Sequence, residues 1–310
     1  MDISIVVVNL NTKQLLRDAL AALPDASRGL SSETIVVDNG STDGSAALVR
    51  ERFAHALLIV NEHNAGFAAA NNQAMQRAQG EFVLLLNSDT RAAPDSIATL
   101  ARFLKAQPRA GIVGPRLLNA DGTFQGSAAA FPTPAGEALL LLGDVARRLR
   151  GPLFPYHSLP DDRSPRRVDW ISGACLLIRR AVIDQIGGLD TGYFMYTEET
   201  DWCYRARQAG WETWWLPEPG VYHLNGATAQ QTFARKRRQI YGSKTRFFRK
   251  HYGRVAAGMF ASAVWITSLI KTVCWGGLAL FGKSDRRERA RLNVRSYLEV
   301  LSHSLVRSEA

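Results

Sequence analysis

Four apolar runs in the first third of the chain each close on Asn or Asp: ISIVVVNL, TIVVDNG, ALLIVNE and EFVLLLNSD. They are continuous rather than alternating, as strands buried on both faces must be. Helical patterns fill the intervals. One carries Leu15, Leu16, Ala19, Leu20 and Leu23 and is expected to end at Pro24. STDGSAALVRERF gives the next, and FAAANNQAMQRAQG a third that Gly80 should stop. A fourth enters at Pro94, a favoured first helical position, and leads to a fifth strand, GIVGPRLL. Strand–helix alternation at this spacing predicts an α/β fold: a mostly parallel, Rossmann-like sheet with helices on both faces.

In such sheets ligands bind beyond the carboxyl ends of the strands. The first strand delivers Val8, Asn9 and Asn11 there, the second Asp38 and Asn39. The third brings Asn61, Asn64 and Gly66, the fourth Asn87, Ser88 and Asp89. Any one of these is an ordinary turn residue. Four strands delivering polar side chains to one rim outline a nucleotide-sized site. Neither GxGxxG nor GxxxxGK[ST] occurs, so side chains and a metal, not a glycine-rich cradle, must hold a nucleotide here.

After Arg116 the pattern changes. LLNADGTFQG reads as a hairpin turning at Asp121-Gly122. Residues 130–167 read as irregular or partly helical, VDWISGACLLIRR as strand, and WETWWLP as strand followed by GVYHLNGAT. The chain holds 28 acids against 38 Lys and Arg, yet Glu198, Glu199 and Asp201 fall within four residues. Alone, that cluster is an acidic start to an amphipathic helix with Trp202, Cys203, Ala206 and Ala209 inward and Gly210 as stop. The helix dipole favours it by less than about 1 kcal/mol per charge.

The net charge of +10 is concentrated towards the carboxyl end. No acid occurs between Pro219 and Ser284, and Arg235 to Arg254 carries nine Lys or Arg. VAAGMFASAVWITSLI, Lys271 and TVCWGGLALFG follow, then the basic KSDRRERARLNVR. Basic flanks around an apolar, Trp-containing segment fit an anionic membrane surface. Each apolar run is short of the roughly 20 residues of a span. Two interfacial helices are the favoured expectation over one interrupted span, with a buried helical hairpin as the plainer alternative. Cys175, Cys203 and Cys274 show no metal spacing and are expected as reduced thiols in a cytosolic setting. MDISIVVVNLNT reads as a first strand, not a signal peptide. The expected division is a catalytic domain at 1–230, with halves 1–115 and 116–230, and a helical, basic, membrane-associating region at 231–310.

VVVNLNT, IVVDNGSTDGS, NEHNAGFAAANN, FVLLLNSDT, VDWISGACLLIRR, YFMYTEETDWCYRARQAG and VYHLNGAT stand in unbroken order from about Ile3 to Thr228. Together they resemble the family 2 glycosyltransferases with the A-type nucleotide-diphosphosugar fold, most of all the rhamnosyltransferase-like branch. KTRFFRKHYG is similar to the stretch leading into that branch's membrane-associated region. The resemblance implies that Asp38 contacts the nucleobase, although Asp38-Asn39-Gly40 also suits an Asx-turn. It implies that Asn64 to Phe67 wall the base pocket. It places Asp89, in Asn87-Ser88-Asp89 where many relatives have Asp-x-Asp, and His223 on a divalent metal, Mn²⁺ or Mg²⁺. Glu199, second of the pair Glu198-Glu199, is implied as general base with Asp201 nearby. Trp170, Ser172 and Gly173 are implied on the acceptor side.

The function so implied is an inverting, metal-dependent, single-sugar transfer from a nucleotide diphosphosugar to a glycan hydroxyl. dTDP-rhamnose is the first choice of donor and a UDP-sugar the alternative. The expected acceptor is a lipid-linked glycan met at the cytoplasmic face of a bacterial inner membrane, in cell-surface polysaccharide assembly. No QxxRW motif for processive transfer is present. A homo-oligomer is left open and no nucleic acid is expected. The rivals are a sugar-1-phosphate nucleotidyltransferase, which wants a glycine-rich basic loop that VVVNLNTKQ does not supply, and a basic nucleic-acid-binding protein. The latter's basic residues would alternate with stacking aromatics, whereas here they border an apolar stretch.

Overall fold

The computed structural model describes residues 1–141, 143, 163–224, 233–281 and 283–302. The chain runs β1 (Ile3–Asn9), α1 (Lys13–Ala26), β2 (Ser32–Asp38), α2 (Ser45–Arg52), β3 (Leu57–Val60), α3 (Phe67–Met75), β4 (Phe82–Asn87), β5 (Thr90–Ala92) and α4 (Ser96–Ala106). Next come β6 (Ala110–Leu118), β7 (Phe124–Gln125), β8 (Ala128–Ala129), α5 (Pro134–Leu140), β9 (Arg166–Val168), β10 (Trp170–Ile171), β11 (Cys175–Arg179) and α6 (Arg180–Ile186). It closes with α7 (Glu198–Gln208), β12 (Glu212–His223), α8 (Phe233–His251), α9 (Gly253–Phe281) and α10 (Ser284–Leu301). Two compact units result: Met1–Phe131 with Tyr156–Phe194 and Glu198–Ala229, and Pro132–Pro155 with Met195–Thr197 and Gln230–Ala310.

The first unit is built on one mixed, mostly parallel sheet ordered β3-β2-β1-β4-β11-β6-β12-β5, with β7 on β6 and β9 on β12. Side-chain alternation sorts its core into two layers. Ile3, Ile5, Val7, Val36, Leu84 and Leu86 share one layer with Leu16, Leu20, Val49, Ile97 and Leu104, from α1, α2 and α4. Val6, Ile35, Val37, Val83 and Leu85 share the other with Ala70, Val182, Trp202 and Ala206, from α3, α6 and α7. Helices therefore cover both faces, as the continuous apolar runs require.

The sheet departs from simple alternation at β11, which lies antiparallel between β4 and β6. β12 then runs parallel to β6. An antiparallel insertion brings the amino end of β11 to the rim where the parallel strands finish. The expected single strand VDWISGACLLIRR is three short ones, broken at Asp169 and at Ser172–Ala174. The hairpin at Asp121-Gly122 forms as expected, with Leu118 opposite Phe124.

Several boundaries differ from expectation. α1 continues through Pro24 to Ala26, because Leu23 and Ala26 are buried core residues and Ser27 caps the Leu23 carbonyl with its hydroxyl at 2.8 Å. α3 ends at Met75, before Gly80, and α4 begins at Ser96 rather than Pro94. Gly80 serves packing: its N–H donates to the buried Ser4 hydroxyl at 2.8 Å, and its carbonyl accepts from Arg180 Nε at 2.9 Å.

In the second unit, the segment expected as two interfacial helices is one helix, α9, running unbroken through Lys271. It is long and apolar enough to cross a membrane by length and composition, with mean hydropathy 1.5. Ala257, Phe260, Ala261, Val264 and Ser268 form its buried stripe, whereas Val255, Met259, Trp265, Ile270 and Phe281 are exposed. α5 answers the expectation of partial helix after residue 130. The rest of that stretch at 142 and 144–162, and the end of GVYHLNGAT at 225–228, lie outside the described residues.

A methyl group at Gly80 would lie 2.6 Å from the Ile3 carbonyl carbon and 2.7 Å from the Phe82 oxygen, both backbone atoms. Gly80→Ala should therefore cost about 1–3 kcal/mol, the usual range of overpacking. Gly126→Ala, where nothing lies within 4 Å, should stay within about 0.5 kcal/mol of the parent. Urea unfolding of the two variants compares them, and equal midpoints would contradict the packing role.

Candidate functional site

The rim is built from the ends of β1, β2 and β4. Parallel register sets Asn9 opposite Asp38 and Val8 opposite Asn87. Asn9 accepts from the Thr12 hydroxyl at 2.6 Å and donates to Ser41 Oγ at 3.1 Å, and Thr12 lies 2.8 Å from Ser88 Oγ. Asn11, held at φ 52°, accepts from the Thr42 N–H at 2.7 Å. Asp38 accepts from the Ser41 N–H, three residues on, at 2.8 Å through Oδ1, one residue beyond the reach of an Asx-turn. Its other oxygen is buried with no protein partner. A backbone contact and a spare acceptor thus coexist in one carboxylate. Thr12 and Ser41 were not singled out in the sequence, although each lies three residues past a strand end and ties two of the predicted residues together.

Asn39 is spent on the fold. Its carbonyl accepts from Asn61 Nδ2 at 2.9 Å and the Ala65 N–H at 3.0 Å, and its amide donates to Asn64 at 2.9 Å. This staples the loop after β3. Gly66 follows at φ 84°, where a Cβ would meet the Phe194 carbonyl oxygen at 2.7 Å. The Phe67 N–H donates to that same oxygen at 2.8 Å. Only glycine permits so close an approach.

Asp89 and His223 meet across the sheet. β12 bulges between Leu216 and Val221 and then pairs with β5, setting His223 opposite Thr90. His223 Nε2 comes to 3.3 Å from Asp89 Oδ1, and Nδ1 to 2.8 Å from Gln125 Oε1. A ring nitrogen and a carboxylate oxygen that close suit adjacent ligands of one small divalent cation, with other positions filled by substrate oxygens and water. Among the described residues no group of three or more side chains that could hold a metal ion occurs.

The three acids at the start of α7 divide by environment. Asp201 is fully buried and accepts from Arg205 Nε at 2.8 Å, while Arg205 also donates to the Ile186 and Gly188 carbonyls at 2.6 and 2.7 Å. Its work is to orient Arg205, which clamps the 186–188 turn. Glu198 is buried, and its Oε2 has no partner. Burial, and then the charge of Glu199, push its carboxyl well above the usual carboxylate range. Glu199 is half-buried, its Cβ 3.7 Å from where a Gly173 side chain would begin, with the Phe67 ring at 3.4 Å from the same point. The fold therefore brings Phe67, Gly173 and Glu199 together. It holds Gly173 at the end of β4 through the Asn87 N–H bond to Ala174 O, 3.0 Å. The Ser172 N–H donates to the Ser127 carbonyl at 2.8 Å. Trp170 lies in the small β8–β10 sheet, its indole N–H donating to the Ala130 carbonyl at 2.9 Å, so it offers a ring face and no free donor. Burial raises the Cys175 and Cys203 thiols to about 12, which removes both as nucleophiles near neutral pH.

Residues 4–187 match the family described as Glycosyl transferase family 2. The chain belongs to that family. A relative 33% identical over 207 residues is the N-acetylglucosaminyl-diphospho-decaprenol L-rhamnosyltransferase of Mycobacterium tuberculosis; the match covers 61% of this chain and 65% of the relative. Rhamnosyltransferase WbbL of Escherichia coli is 25% identical over 163 residues, 52% of this chain and 59% of that one. The chain therefore spans less than two thirds of the length of these curated relatives. In fold it is similar to the mannosyltransferase PcManGT from Pyrobaculum calidifontis, solved in complex with GDP-Man and Mn²⁺. The TM-score is 0.56 at 17% identity, over 97% of this chain and 85% of that one. The expected A-type α/β fold and the rhamnosyltransferase-like branch are both supported.

The Glu198 environment has a sign that can be tested. Its folded-state pKa lies above the unfolded value, so its contribution to stability is full below the ordinary carboxylate range. That contribution is lost as pH rises through the folded-state value. Glu198→Gln should raise Tm at neutral and alkaline pH and converge with the parent in acid, in melts run between about pH 4 and pH 9. A variant that melts lower than the parent at neutral and alkaline pH, with the gap closing in acid, would show that the ionised carboxylate stabilises the fold.

Proposed function

We propose that this glycosyltransferase family 2 chain transfers one sugar, with inversion, from a nucleotide diphosphosugar to a hydroxyl of a lipid-linked glycan. The observation that carries the reading is the grouping of Glu199, Gly173 and Phe67 at the carboxyl-end rim of the sheet that also ends in Asp38 and Asp89. Asp38 Oδ2, buried and unpartnered, is suited to accept from the imide N–H of uracil or thymine. Asn39 and Asn64 shape the loop around that pocket, and Phe67 walls it. Asp89 and His223 would hold Mn²⁺ or Mg²⁺. When bound, that ion offsets charge developing on the diphosphate leaving group.

Glu199 receives the acceptor's proton as the hydroxyl oxygen attacks the anomeric carbon opposite the departing diphosphate. One displacement inverts the centre and needs no protein nucleophile. Glu198, its pKa raised, keeps its proton and spares Glu199 a second adjacent charge. Ser172 and Gly173 leave room on the acceptor side, and Trp170 presents a ring face for a sugar to stack on.

The donor and acceptor are read from relatives. The M. tuberculosis relative is named for rhamnosyl transfer to a diphospho-decaprenol-linked sugar. Carried to this chain, that favours dTDP-rhamnose as donor, with UDP-sugars as the alternative, and a polyprenyl-diphosphate glycan as acceptor. The second unit fits such an address. α9 exposes Trp265, Ile266, Ile270, Val273, Leu280 and Phe281, and α8 is strongly basic. α10, with Arg286, Arg287, Arg289, Arg291 and Arg295, packs against α9. Charged helices alongside it disfavour passage through the bilayer core, so α9 is read as lying in the interface of the cytoplasmic leaflet.

The test is nucleoside-diphosphate release from UDP-, dTDP- and GDP-sugars, with a membrane lipid extract as acceptor, in Mn²⁺ and in EDTA. One donor should respond, EDTA should abolish release, and Glu199→Gln should lose roughly 10²–10⁴-fold, the usual contribution of a general base. Undiminished release in Glu199→Gln would move the base elsewhere, Glu198 first. No release from any donor would overturn the transferase reading.

Membrane address is separable. Replacing Trp265, Ile270 and Phe281 by Ser should weaken sedimentation with phosphatidylglycerol vesicles and leave donor hydrolysis in detergent unchanged. Full sedimentation of that variant would place the contact elsewhere.

A further inference from the structure

The β6–β7 hairpin carries a chain of side-chain hydrogen bonds that ends on His223. Its direction is fixed by chemistry. The Asp121 carboxylate can only accept, and it takes the Thr123 hydroxyl proton at 2.6 Å. That hydrogen bond, before any other cause, holds the Asp121 carboxyl below its ordinary range, so the group is ionised at neutral pH. Thr123, its one proton committed, must accept from Asn119, whose Nδ2 lies 2.9 Å away. The Asn119 amide is thereby oriented: its nitrogen faces Thr123 and its oxygen faces Gln125 Nε2 at 2.9 Å. Gln125 is oriented in turn, with Oε1 facing His223 Nδ1 at 2.8 Å. An amide oxygen only accepts, so Nδ1 carries the proton. In the neutral imidazole the lone pair is then on Nε2, which faces Asp89 Oδ1 at 3.3 Å. Two acceptors at that distance repel one another unless a second ring proton or a cation lies between them.

We propose that Gln125, oriented by Asn119, is a positioning residue that fixes His223 in the tautomer presenting Nε2 to a divalent cation beside Asp89. This rests on the reading of His223 as a metal-holding residue. Gln125 touches neither metal nor substrate and acts only through the ring. The pair lies on a hairpin whose register sets Leu117 opposite Gln125, which aims the amide at the strand carrying His223. Partners of this kind, one shell out from a ligand, typically change metal affinity by roughly 10–100-fold.

The experiment is Mn²⁺ binding to the full chain, followed by the EPR signal of free Mn²⁺. It is joined by ¹⁵N spectra of the His223 ring in metal-free protein at alkaline pH. Gln125→Met should weaken Mn²⁺ roughly 10-fold or more and shift the ring toward a mixture of tautomers, with Tm unchanged. Gln125→Glu, which keeps an acceptor at Nδ1, should restore both the Nδ1–H tautomer and the affinity. His223→Ala separates the layers of the argument. If it loses Mn²⁺ and Gln125→Met does not, His223 holds metal and the hairpin does not set it. If His223→Ala binds Mn²⁺ like the parent, the metal reading fails and the positioning role falls with it.

Discussion

The site depends on how β4 is paired. On one side β1 runs parallel to it, in register from Ile3–Phe82 to Val8–Asn87; on the other β11 runs antiparallel, with Cys175 opposite Leu86. Both faces of β4 are buried, so a one-residue slip would exchange its two core layers and drive Asn87 inward. That lock has three consequences at one edge. The parallel side brings Asn9 and, through β2, Asp38 to the rim. The antiparallel side brings the start of β11, and so Ser172 and Gly173, to the same rim. The chain leaving β4 goes straight into Asp89 and β5, where the bulged end of β12 returns with His223. Asn9, Asp38, Ser172 and Gly173 meet because two strand directions finish at one line.

The three carboxylates of α7 share a first helical turn and no common environment. Arg205 neutralises Asp201 at 2.8 Å, the carboxylate fully buried and the guanidinium partly exposed, and two further guanidinium N–H groups donate to carbonyls. Such a pair contributes little net stability against its desolvation. What it does is fix geometry, holding α7 to the 186–188 turn so that the preceding residues have a set place. Glu198 is then left with burial and one like-charged neighbour, and both push its carboxyl well above the usual carboxylate range. Only Glu199 keeps partial exposure and a small residue, Gly173, facing it. The question posed by three like charges in four residues is answered by separation into a clamp, a buried carboxyl and a half-buried carboxylate facing Gly173, the base we propose.

Much of this was legible in the chain. Continuous apolar runs ending in Asn and Asp announced a doubly covered sheet and its rim, because burial on both faces leaves no alternation to mislead. The carboxylate cluster announced a helix start. Other features depend on contacts no local pattern carries. Pro24 stays inside α1 because Leu23 and Ala26 are held by the core. Asn39 looked like a ligand residue and proves to be a staple, since an Asn after a strand serves either role until its partners are known. β5 is three residues long, too short for any periodicity, and exists because the end of β12 supplies a partner. α9 reads as two runs around Lys271, yet the lysine donates to the Leu141 carbonyl and sits over the Tyr297 ring, so the helix need not break there.

The least legible residue of all is Gln125. A glutamine two residues past a turn carries no chemical signal of its own, and nothing in its neighbourhood of sequence mentions His223, 98 positions away. Its meaning comes from polarity propagated along a chain of groups that each have one proton to give or one lone pair to offer. An ionised aspartate at one end removes the ambiguity from a hydroxyl, two amides and an imidazole in turn. The structural cost is small, since each member also closes the hairpin it belongs to. A motif search weighs residues by their own reactivity and so passes over such positions. A hydrogen-bond direction traced from an unambiguous acceptor finds them, and here it arrives at the nitrogen that faces Asp89.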